Sequence, residues 1–177
     1  LCAMTGFPLD DTPVTDGDGK TQWKGNLEIA DKLRRLADYL VIGGMEELKV
    51  AHFRRVADTI AHWPESMEAM RHEGRLRKIP RIGTTIQHML QQYVDTGTCD
   101  KWTEWSQRVP ESVLDLVAIP GLGVKTAVMM YQGYGIDGLP ALERALENHR
   151  LGTLHGIGPK TVVRIRRHLE ARARGEV

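Results

Sequence analysis

Residues 119–127 read IPGLGVKTA and residues 154–162 read LHGIGPKTV. In both, an apolar residue stands between two glycines and a Lys-Thr pair follows. Glycine inside a helix costs roughly 0.5–1 kcal/mol relative to alanine, so two such pairs need a physical reason. A third segment, IPRIGTTI at 79–86, shares the frame with Arg81 in place of the first glycine and Thr85 in place of the lysine. Internal repetition raises the signal well above that of one motif.

A short helix before each segment and an amphipathic helix after it place the glycines in a tight turn between two helices. The second glycine (Gly83, Gly123, Gly158) then opens the following helix, where free N–H groups and the positive end of the helix dipole point outward. Glycine lacks the Cβ that would hold a phosphate oxygen away. Lys125 or Lys160 adds a point charge, and the hydroxyl of Thr126 or Thr161 caps the helix or donates to the ligand. These groups suit a phosphate and none suits a base edge. The packing alternative makes Ile82, Leu122 and Ile157 core residues and the glycines spacers, but packing alone has no use for the lysines.

Around these turns the pattern is helical. Leu27, Ala30, Leu33, Ala37, Leu40 and Val41 recur at helical spacing, with Asn26 as the expected cap and Gly43-Gly44 as the stop. Further helices are expected over Phe53–Ala61, around Met67–Met70, and over 84–95, 102–107, 112–117, 124–133, 139–148 and 159–173. No period-two run appears, so the fold class is all-α: a helical bundle domain followed by tandem hairpin units. The expected divisions are a flexible segment 1–25, a domain 26–97 containing the first hairpin, and a domain 98–177 containing the other two. Within the first segment, GDGKT is not a P-loop, since Val14 stands where the leading glycine belongs, and a calcium loop would want Glu at Gly25.

The chain has 24 Lys+Arg, 23 Asp+Glu and a net charge of +1, so bulk charge alone does not point to nucleic acid. Its distribution does: from residue 144 onward there are eight basic residues against Glu147, Glu170 and Glu176. A shorter basic run comprises Arg71, Arg75, Arg77, Lys78 and Arg81. Two cysteines, Cys2 and Cys99, are too few for a disulfide framework or a zinc site, and the seven histidines lack metal-ligand spacing. No apolar run approaches a membrane span and no signal peptide opens the chain, so a cytoplasmic setting is expected, nucleoid-associated in a bacterium.

The succession NLEIADKLRRLADYLVIGG, FRRVADTIAHWPESM, GRLRKIPRIG, IPGLGVKTA and LHGIGPKTV resembles the N-terminal helix-hairpin-helix region of family X DNA polymerases, over about residues 26–170. The resemblance implies a small lyase-like domain and a DNA-gripping domain that hold the backbone of nicked or gapped DNA in repair. A monovalent cation, Na+ or K+, would sit at the carbonyls of Arg77, Ile79 and Ile82 and of Val117, Ile119 and Leu122. The DNA contacts implied are Gly83, Thr84, Gly121, Gly123, Lys125, Thr126, Gly156, Gly158, Lys160, Thr161 and Arg164, with Lys49 near a 5′-phosphate. No catalytic residue is implied, because Met89 stands at the Schiff-base lysine of the family's lyase domain and a polymerase palm is missing. The partner expected is DNA, with a polymerase or nuclease domain in the same or another chain. Two other readings are a lyase using another amine, such as Lys49 or Lys78, and a protein-interaction scaffold.

Overall fold

A computed structural model describes residues 9–80 and 82–176. Arg81, Cys2 and the beginning of the expected flexible segment lie outside them. The fold is all-α apart from one small ribbon: β1 (Pro13–Thr15) and β2 (Thr21–Trp23) pair antiparallel, Val14 opposite Gln22. This corrects the loop expected for these residues. Three-residue strands are too short to show a period, but the turn between them has its own chemistry. Asp16 Oδ1 accepts the N–H groups of Asp18 and Lys20 at 3.0 and 2.8 Å, and Gly19 takes φ +79°. GDGKT is therefore a hairpin turn.

The helices are α1 (Lys24–Ile42), α2 (Glu47–Ala61), α3 (Met67–His72), α4 (Thr84–Thr96) and α5 (Asp100–Ser106). Then follow α6 (Leu114–Val117), α7 (Val124–Val128), α8 (Leu139–Glu147) and α9 (Pro159–Ala173). Single 3₁₀ turns at Leu76–Lys78, Glu111–Val113 and Leu151–Thr153 precede the hairpins or α6, and a π turn, Met129–Gly133, extends α7. The residues group into two compact units, one running to Ala37 and resuming over Glu47–Gln107, the other comprising Asp38–Glu46 and the chain from Arg108 on. The changeover thus falls after α5, where the sequence suggested 97/98; α5 buries Trp105 and packs on α4.

In the first unit Ile29, Leu33 and Leu36 of α1, Phe53, Val56 and Ile60 of α2, and Ile86, Met89 and Leu90 of α4 are buried. Asn26 is not the cap of α1. The helix begins two residues earlier, and its first N–H groups are taken by the segment just before β1: Lys24 donates to Thr12 O at 3.1 Å and Gly25 to Asp10 O at 2.7 Å. Asn26 is fully buried and spans to the loop before α3, donating to Glu65 O at 2.9 Å and accepting the Met67 N–H at 2.8 Å. Its replacement by Ala orphans the part-buried Glu65 carbonyl and the buried Met67 N–H, and the buried group alone is worth about 1–3 kcal/mol. Chemical denaturation of Asn26→Ala should therefore show a stability loss of about 2 kcal/mol.

In the second unit the core is Val113, Leu114, Leu116, Ile119, Met130, Leu139, Leu142, Leu151 and Ile165, joined by Tyr39, Leu40 and Ile42 from the end of α1. The Tyr39 hydroxyl donates to Val109 O. Burial, followed by Glu111 and Tyr131, pushes its pKa up to about 12. Only Ile165 of α9 is fully buried, so this helix shows most of its basic surface to solvent.

Candidate nucleic-acid interface

The repeat divides by function along its own length. The residue between the glycine positions, Ile82, Leu122 or Ile157, is buried in each copy, so the packing reading holds for that position. Before it, Leu122 N–H donates to Ile119 O at 2.9 Å and Ile157 N–H to Leu154 O at 3.1 Å, closing β-turns with Gly121 and Gly156 at the third place. Both glycines take φ +82°, the left-handed value a type II turn requires there. Their glycine identity is conformational.

The second glycines are different. Gly83, Gly123 and Gly158 open α4, α7 and α9 with φ between −74° and −90° and ψ between 168° and 171°, an extended conformation open to any residue. A Cβ built on any of the three would meet no atom within 4 Å. Neither conformation nor packing demands glycine at these places. None of the three helix starts has a side-chain cap, so its leading N–H groups remain available to an outside acceptor. Thr126 and Thr161 leave their hydroxyls out of capping; their N–H groups donate to Gly123 O and Gly158 O at 3.0 and 2.9 Å.

Lys125 and Lys160 are exposed beside these starts, and among the described residues neither forms an ion pair. Arg164, Arg166 and Arg167 on α9 are exposed and likewise without a carboxylate partner among the described residues. Arg164 also ties the two turns together. Its side chain crosses the face of Gly121, where a Cβ would stand 3.1 Å from Arg164 Cζ. One turn into α9, a cation of the third hairpin thus lies over the turn of the second.

The first unit is arranged otherwise. Two members of its basic run are used within the fold: Arg71 pairs with Glu68, and Arg75 pairs with Glu65 at 2.6 Å and Glu73 at 2.5 Å. The Arg75 hydrogen bond holds the Glu65 carboxyl below the usual carboxylate range. Arg77 and Lys78 remain exposed. Beside the first hairpin a cavity of about 360 Å³ is lined by Leu76, Arg77, Thr84, Gln87, His88 and Gln91. Lys49 is exposed at the start of α2, where it has an interaction within the protein. Met89 is turned into the core, 5% exposed. Trp105 is buried with Lys101 Nζ 5.9 Å from its ring centre, and Trp102 is partly buried.

Comparison with known proteins gives this architecture its class. Residues 24–99 match a family described as a helix-hairpin-helix domain, and residues 113–171 match a SAM-like helix-hairpin-helix tandem. The chain is therefore a succession of helix-hairpin-helix domains, similar to those of family X DNA polymerases. It is 26% identical over 138 residues to the DNA polymerase/3′-5′ exonuclease PolX of Bacillus subtilis (strain 168), an alignment covering 78% of this chain. The same alignment covers 24% of that relative, so the chain spans about a quarter of its length. No helix among the described residues is long and apolar enough to cross a membrane.

Proposed function

We propose that this chain holds DNA by its phosphate backbone, without reading sequence, and that its target is nicked or gapped DNA in repair. The observation that carries this is the open space over Gly123 and Gly158, flanked by Lys125 and Lys160, which form no ion pair among the described residues. Each hairpin offers uncapped N–H groups, room for an oxygen and one cation, and Arg164 joins the two sites. The first unit contributes a pocket for a strand end, with Arg77 and His88 at the cavity beside its hairpin. A polymerase or nuclease domain, in the same or another chain, would act on the DNA so held.

A Na+ or K+ ion at the turn carbonyls would add a positive charge facing the phosphate. The carbonyls of Val117, Ile119 and Leu122 suit it in the second hairpin and those of Arg77, Ile79 and Ile82 in the first. Ile119 O gives one lone pair to Leu122 N–H, and Ile82 O gives one to Gln87 Nε2 at 3.3 Å, leaving each a second. A lyase reading would require an amine where Met89 lies buried, and nothing observed favours Lys49 or Lys78 in its place.

The test is a binding series over intact, nicked and 5′-phosphorylated gapped duplexes at two salt concentrations. Backbone binding predicts affinity that falls steeply with salt and barely changes with sequence. The phosphorylated gap should be preferred about tenfold, which is about 1.4 kcal/mol. Equal affinity for all three duplexes would remove the gap reading and leave backbone binding in place.

A further inference from the structure

In the second unit a cavity of about 240 Å³ opens between the end of the π turn and α8. Its polar lining is Tyr134, Arg144, Asn148 and Arg150, with Leu154 from the third hairpin beside them and no carboxylate. Neither arginine forms an ion pair among the described residues. Two guanidinium groups at one concave surface repel each other unless an anion joins them.

The backbone brings them together at a cost. Helix α8 ends at Glu147, and His149 reverses the chain at φ +54°, the one non-glycine residue in the left-handed region among those described. A residue with a Cβ is disfavoured there. Arg150 is then fixed from both sides: its N–H donates to Ala145 O at 2.9 Å, and its carbonyl accepts from Thr153 N at 3.1 Å and Thr153 Oγ1 at 2.7 Å. Instead of continuing along the helix axis, Arg150 returns to the cavity that Arg144 lines. Tyr134 is 41% exposed, and its hydroxyl accepts the His155 N–H at 3.3 Å, directly before Gly156. The cavity wall and the turn of the third hairpin are thus continuous.

We infer that this cavity is a further phosphate site, receiving one nucleotide phosphate of the strand held at the third hairpin. The inference rests on the DNA-binding reading above. The volume lies below the roughly 300–1,000 Å³ of sites for drug-sized ligands, which suits a phosphate with its sugar. Arginine supplies the planar fork that grips two phosphate oxygens at once, and an exposed tyrosine ring offers the sugar or base an apolar face. The phosphate comes either from within the strand or from a strand end.

Salt-dependent affinity of the whole chain separates these sources, measured on one duplex without terminal phosphates and on the same duplex 5′-phosphorylated. Arg144→Ala/Arg150→Ala should lower affinity about tenfold and reduce the slope of log K against log salt by about 0.9, one phosphate's worth. A loss on both duplexes assigns an internal phosphodiester; a loss only on the phosphorylated one assigns a terminal phosphate. Arg144→Lys/Arg150→Lys keeps the charge without the fork and should not restore binding. Wild-type behaviour of the alanine variant, or full restoration by lysine, overturns the inference. Lys125→Glu/Lys160→Glu is measured alongside. If it abolishes binding while the arginine variants bind normally, this inference alone fails; the reverse result overturns the hairpin reading alone. Both arginines are exposed, so thermal unfolding of all variants should match wild type.

Discussion

Lys125→Glu/Lys160→Glu should lose at least about a hundredfold in duplex affinity with no change in melting temperature. A hydrogen bond between a charged pair is worth about 1.5–3 kcal/mol, and two such contacts sum to about 3–6 kcal/mol, where every 1.4 kcal/mol is a factor of ten. Glutamate replaces attraction with repulsion, so this is a lower figure. The absence of a stability effect follows from the same geometry: both side chains are exposed and, among the described residues, unpaired. A scaffold whose hairpins only pack would bind no DNA through these lysines, and unaltered affinity in the double variant would establish that. The salt dependence should also flatten, since each phosphate no longer neutralised removes about 0.9 from the slope.

The hairpins were legible in the sequence because their physics is local. A left-handed turn residue, a buried residue and an uncapped helix start fall within five positions, so a short string records them all. The long helices were legible for the same reason, their apolar stripes recurring every three or four residues. What escaped depends on distant partners. Asn26 looks like a cap until the carbonyls of Asp10 and Thr12, just before β1, take that task and its amide turns to Glu65 and Met67, about forty residues away. Arg71 and Arg75 read as part of a basic patch, yet Glu68, Glu65 and Glu73 pair with them. Arg144 and Arg150 were visible only as charge, because the reversal at His149 that brings both to one cavity leaves no trace in composition. The left-handed histidine after α8 is a signal the sequence cannot display, since glycine or asparagine is the usual residue there.

The two glycines of each hairpin should separate stability from binding. Gly123→Ser/Gly158→Ser places a side chain where no atom lies within 4 Å and where φ near −90° suits any residue. Serine is at least as good a helix cap as glycine, so denaturation should show equal or slightly greater stability. The same hydroxyl takes up a leading N–H group, and its Cβ fills the space meant for a phosphate oxygen. DNA affinity should therefore fall about tenfold per hairpin and about a hundredfold for the pair, each lost amide contact to a charged group being worth about 1.5–3 kcal/mol. Gly121→Ala and Gly156→Ala act in the opposite sense. At φ +82° an alanine costs about 1–2 kcal/mol of folding stability at each turn, and at Gly121 its methyl also displaces the Arg164 side chain. If the serine variants lose stability while keeping their affinity for DNA, the second glycines serve packing and the phosphate cradle is wrong. If they keep stability and lose affinity, a sequence feature that weakens helices has been retained for what it leaves uncovered.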